Sequence, residues 1–211
     1  AFLKPDIMER RYLDRYSHRA EKLGASLLEV RQAHLGTDGG LELIKELTAE
    51  LARRGAALSL GETALSVRLE DRVLVTDHRE LAFDDLVVAP GRGGFAFLQS
   101  VMNEAGVPFT DNVVDIGIRV ETREEHYPIV RDYYDPKFLF PKKTRTFCTN
   151  SRAAHVVQER YESPEGGYWY SVNGHAWSAS KPANSLVNFA LLKTVTLTEP
   201  LASGQSYARM L

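Results

Sequence analysis

The 211 residues carry 26 Lys and Arg against 28 Asp and Glu, with 44% hydrophobic and 26% charged side chains. That profile belongs to an ordinary soluble globular protein with a core of its own, and the net charge of −2 creates no overall field toward nucleic acid or anionic lipid. The single cysteine, Cys148, excludes an internal disulfide and fits a reducing, cytoplasmic setting. No apolar run approaches membrane-spanning length, so no membrane partner is expected. The charged N-terminus lacks the apolar block of a signal peptide.

Apolar residues at helical spacing predict a helix over residues 5–23, with Pro5 suited to its first turn and Gly24 to its stop. SLLEVR, residues 26–31, reads as a strand. After the loop QAHLGTDGG, the stripe Leu41, Leu43, Ile44, Leu47, Leu51 and Ala52 marks a second helix. Thr37 and Asp38 are its capping candidates. Short strands are expected at 57–60, 64–69, 72–76 and 86–89. Strand, helix, strand and meander is the rhythm of an α/β domain with a parallel sheet, so residues 1–106 are predicted to be part of one. Beyond Gly106 the texture changes. Strands are expected at 113–121, 144–149, 154–161, 168–172 and 187–197, with a helix at 123–134. This predicts a mostly antiparallel α+β domain over 107–198, with 199–211 as a return segment.

Gly91, Gly93 and Gly94 stand between an apolar run and a helix, the context of a phosphate-binding loop. The spacing does not fit, because three residues beyond Gly93 lies Ala96. Neither G-x-G-x-x-G nor G-x-x-x-x-G-K-[ST] occurs in the chain. On local grounds the turn is a corner that needs positive φ.

Several side chains could carry chemistry. Cys148, near Arg145, could be a nucleophile or redox partner. Its other reading, a small apolar residue on a strand, weighs more because no second cysteine could resolve an oxidised state. Asn173 and Gly174 read as a hairpin turn, from which His175 could project as an acid or base. Arg152, with Asn150, could hold a carboxylate through its bidentate fork, and Arg145 is a further candidate. The other histidines lack ligand spacing, so no metal site is expected. YYDPKFLFPKKTRTF interleaves aromatic and basic residues, as single-stranded nucleic-acid surfaces do. That leaves open a stand-alone binding module for nucleic acid or a protein partner, although the overall charge weighs against nucleic acid.

Taken in order, HLGTD (34–38), APGRGG (89–94), VDIGIRVET (114–122), YDPKFLF (134–140), RTFCTNSR (145–152), VNGHAWS (172–178) and NFALL (188–192) resemble a largely uncharacterised family of FAD-dependent dehydrogenases. In that family a substrate domain is inserted into a two-dinucleotide-type flavin domain. The resemblance covers roughly residues 26 to 200. It departs from the pattern at Gln32-Ala33, where Lys-Pro is usual, and at Gly93, where Ser is common.

The resemblance implies a flavoprotein oxidoreductase acting on a small-molecule substrate by hydride transfer to or from flavin. His34, Gly36, Ala89, Pro90, Gly91 and Arg92 would lie on the cofactor side. Arg145, Asn150, Arg152 and Asn173 would face substrate, with His175 and Cys148 as catalytic candidates. The family's glycine-rich FAD motif lies upstream of these blocks. The chain is therefore expected to be an internal piece that relies on the remaining flavin-domain segments of its parent, and FAD is expected in the parent rather than on this piece alone.

Overall fold

A computed structural model describes residues 9–110, 113–162, 167–178 and 180–196, together with Gly204 and Tyr207. Among these, four α-helices and ten mostly antiparallel strands make an α+β chain. It divides into two compact units, residues 1–49 with 112–211, and residues 50–111. One cut falls within the stretch where the sequence texture changes. The other falls inside the second helix.

The first unit is built on a five-stranded sheet in the order β1 (Ser26–Leu28), β6 (Lys137–Phe140), β7 (Thr144–Asn150), β10 (Leu186–Val195), β5 (Val114–Arg123). All four pairings are antiparallel. The parallel pairing suggested by the order of the first elements is not found among the described residues. The partner of β1 is β6, from the far half of the chain. Two helices supply the apolar cover. Leu13 and Tyr16 of α1 (Arg10–Glu21) pack with Ile129 and Val130 of α4 (Ile129–Asp132), with Tyr133, and with Val187 of β10. Burial of each such side chain contributes roughly 1.5–3 kcal/mol. Tyr16 closes the cluster by donating to Asp132 Oδ2 at 2.7 Å.

The helix expected over 123–134 is in fact a 3₁₀ turn at Glu124–His126 followed by the single turn of α4. Pro128 separates them, since its ring cannot continue the preceding turn. Between β7 and β10 the register slips, so that Cys148 and Thr149 together oppose Phe189. Cys148 is the bulged residue and takes a left-handed φ of 50°.

A ribbon of β8 (Ala154–Glu162) and β9 (Tyr168–Ala176) lies against β5, β7 and β10. Asn173 and Gly174 are not a hairpin turn. They sit within β9, opposite Val157 and Val156. The reason for the glycine is steric. A Cβ on Gly174 would lie 2.2 Å from both Arg119 Nη1 and Asn188 Oδ1, and 2.4 Å from Asn150 Nδ2. Beneath it, Asn188 Oδ1 accepts from Arg119 Nη1 at 2.8 Å and Asn150 Nδ2 at 3.2 Å, and the Cys148 carbonyl accepts from both donors. Asn188 is fully buried.

The second unit holds the meander β2 (Ala64–Arg68), β3 (Val73–Thr76) and β4 (Glu80–Ala82), with α3 (Phe95–Glu104) beside β2. Residues 57–60 and 86–89, both expected as strands, have no ladder partner. α2 (Gly36–Arg53) presents its predicted stripe outward, with Leu41 55% and Ile44 60% exposed. No helix among the described residues is long and apolar enough to cross a membrane.

Candidate functional site

Within the first unit, five chain segments line one cleft of about 400 Å³. The β1–α2 loop contributes His34, the first residue of α2 is Gly36, and the turn after α4 contributes Tyr134. The β7–β8 loop contributes Ser151, Arg152 and Ala153. The end of β9 brings Ala176, Trp177 and Ser178, and the β9–β10 connection brings Lys181 and Ala183.

Two carboxylates hold these segments together. Asp135 Oδ1 accepts from the Thr149 amide at 2.8 Å, and its Oδ2 receives Lys137 Nζ at 2.9 Å and lies 3.4 Å from His34 Nε2. Gln32 strengthens this tie, donating to the carbonyls of Tyr134 and Asp135 and accepting from Lys137. Asp38 does the same at the opposite wall. It accepts from the Ser178 amide and hydroxyl and from the Ser180 amide, each at 2.9 Å. Gly36 is pinned between these groups at φ +72. A Cβ there would stand 3.0 Å from both Asp38 Oδ1 and the Ser178 nitrogen.

The lining is aromatic and cationic. His34 meets Tyr134 edge-on, with ring centroids 4.5 Å apart. The Arg152 guanidinium lies over Tyr134 at 5.6 Å, and Lys181 Nζ over Trp177 at 3.7 Å. Burial first, and then the charges of Asp135 and Cys148, push the Tyr134 hydroxyl up to about 12, so it keeps its proton at neutral pH. Asp135 Oδ2, which receives Lys137, faces His34 Nε2, and the roles in that contact follow the imidazole tautomer. The cleft thus combines an imidazole, a protonated phenol and two cations.

Of the residues singled out from sequence, His34, Gly36 and Arg152 meet in this cleft. The others lie elsewhere. Asn150 belongs to the buried layer under Gly174, and Cys148 Sγ lies 3.6 Å from Asn150 Nδ2. Asn173 donates to Glu159 Oε1 at 3.0 Å. His175 pairs across the ribbon with His155, and both rings pack on Trp177, so His175 touches the cleft only through that indole. Arg145 is engaged with Asp115 at 2.6 Å, and the hydrogen bond from the Thr194 hydroxyl, followed by that contact, holds the Asp115 carboxyl below its ordinary value. Ala89, Pro90, Gly91 and Arg92 belong to the second unit. Gly91 has φ +66 and precedes a 3₁₀ turn at Arg92–Gly94, the corner that local reasoning expected.

In the basic–aromatic stretch Lys137 is bound to Asp135 and Arg145 to Asp115, whereas Lys142 and Lys143 have no ion pair among the described residues. Sequence reasoning missed Tyr134, Trp177 and Lys181 as cleft residues. Tyr134 and Trp177 did lie inside quoted blocks, YDPKFLF and VNGHAWS. Among the described residues no cluster of His, Cys, Asp and Glu could hold a metal ion. No family model, curated protein or solved structure matches the chain.

Proposed function

We propose that this chain forms the substrate side of an FAD-dependent oxidoreductase, with the cleft as the substrate pocket. One observation supports the reading above the rest. Blocks spread between residues 34 and 178 (HLGTD, YDPKFLF, RTFCTNSR and VNGHAWS) line a single cleft. Its size lies within the roughly 300–1,000 Å³ of small-molecule sites.

The residues fit a flavin ring in two respects. His34 and Tyr134 offer aromatic surface set edge to face, and Gly36 opens the start of α2 on the cleft without a side chain. They do not fit a dinucleotide pyrophosphate, since Gly36 is the one glycine in the lining. In this reading that grip comes from chain beyond residues 1–211. The bound flavin supplies two-electron, hydride-type chemistry. The chain's own residues do the rest. Arg152 binds and orients, Tyr134 and Trp177 exclude water, and the His34 imidazole takes a proton from the substrate's O–H or N–H. The resulting imidazolium is balanced by Asp135.

The test is a visible-absorbance scan of the natural full-length protein, followed by identification of any chromophore released on denaturation. Flavin at one per chain supports the reading. A protein that stays colourless after incubation with FAD rejects it.

A further inference from the structure

The charges around the cleft do not balance. Both nearby carboxylates are answered: Asp135 by Lys137 and the Thr149 amide, and Asp38 by the amides and hydroxyl of the β9–β10 connection. Glu159, on the neighbouring ribbon, accepts from Asn173 and Tyr161. The two lining cations are not answered. Neither the Arg152 guanidinium nor the Lys181 ammonium has a hydrogen bond or ion pair to a described residue. Each lies only over an aromatic ring.

One further observation concerns the same loop. Arg152 itself holds a left-handed backbone, φ 70°, which a non-glycine residue adopts at a cost of about 1–3 kcal/mol. The strain falls on the residue whose five donors have no partner in the described protein.

Building on the reading of the cleft as a substrate pocket, we propose that it takes a small planar carboxylate. The carboxylate sits on the Arg152 fork, with Lys181 adding charge. The apolar body of the ligand lies among the rings of His34, Tyr134 and Trp177. The fork matches two coplanar oxygens, and charge-assisted bonds are the strong ones. A free phosphate would use the same donors but leave the aromatic wall against water. The ring-bearing body is what separates the two sources of charge.

The test is ¹⁹F NMR of 4-fluorobenzoate titrated with the purified protein, with benzoate and inorganic phosphate as competitors. The expected result is saturable line broadening that benzoate reverses and equal phosphate does not. Arg152→Ala should weaken binding about tenfold or more, the size of a lost charge-assisted hydrogen bond. Lys181→Met should weaken it several-fold. Arg145→Ala, whose charge is spent on Asp115, should leave it unchanged. Should Arg152→Ala fail to fold, Arg152→Lys reads the same loss, because it keeps the charge and removes the fork. Wild-type affinity in the Arg152 variants, no broadening at all, or displacement by phosphate as effective as by benzoate overturns the proposal. Flavin content read on the same sample separates the two ideas. Binding of 4-fluorobenzoate by a protein that takes up no flavin defeats the oxidoreductase reading and leaves the anion site standing. Flavin without 4-fluorobenzoate binding does the reverse.

Discussion

Arg119 and Arg152 stand in opposite surroundings. Arg119 lies under the β8–β9 ribbon, where Asn188 Oδ1 and the Cys148 carbonyl accept from its Nη1 and a side-chain-less β9 residue covers it. Arg152 emerges at the cleft with an aromatic ring behind it and no acceptor among the described residues. One guanidinium is consumed in holding two sheets together. The other is held ready for something outside the protein. The strand–loop step Asn150-Ser151-Arg152 passes from the first environment to the second. Enclosure under the ribbon and acceptors at Nη1, more than residue type, separate a structural cation from a recognition cation here, and Arg119 Nε has no partner among the described residues even in its buried layer.

Substitution on each side can break that contrast. The largest effect is expected from Gly174→Ala, whose methyl would overlap three polar atoms. Overpacking of this kind costs roughly 1–3 kcal/mol or more, read as a lowered midpoint in urea with an unchanged slope. Asn188→Ala comes next. It removes the acceptor shared by Arg119 and Asn150, and leaving buried donors unmet costs about 1–3 kcal/mol. Arg152→Gly should go the other way. Relief of its left-handed backbone makes it neutral or stabilising in the same denaturation assay, while 4-fluorobenzoate binding is lost.

Alkaline pH gives a further contrast. Tyr134 holds its proton to about 12 in the fold against 10.0 ordinarily. The unfolded chain therefore releases that proton first. Stability is fully present below pH about 10 and falls as pH rises toward about 12. Tyr134→Phe should flatten part of that slope. The remainder comes from Tyr127 and Tyr16, both raised chiefly by burial. The smallest effect belongs to Arg145→Ala. Its partly exposed ion pair contributes about 0–1 kcal/mol, and the loss should shrink further in high salt.

Local chemistry was legible in the sequence, and long-range pairing was not. Alternation and flanking turns located β5, β7, β8 and β10 to within a few residues, because those signals lie inside each strand. The pairing of β1 with β6 leaves no trace in either segment, so the order of elements suggested a parallel sheet instead. β6 itself, only four residues long, was hidden in a stretch read for its charge. Asn173-Gly174 has the composition of a turn, but the glycine answers to three side chains from other strands, which no local rule registers. The α2 stripe announced a helix correctly while saying nothing about what covers it. At the site, His34, Gly36 and Arg152 were found from their blocks. Lys181 was not, since a lone lysine beside Pro182 carries no signal until Trp177 is seen beneath it.

The bulge at Cys148 has a consequence for how this protein could change. It turns the backbone so that position 150 enters the interior while position 152 reaches the cleft, so neighbouring codons face different constraints. Exchanges at 152 and 181 could retune which guest is accepted while the fold persists. A single-residue insertion between 148 and 151 would disturb both layers together. Drift in specificity is therefore expected by point replacement on the loops, and length variation is expected to be tolerated only beyond this corner.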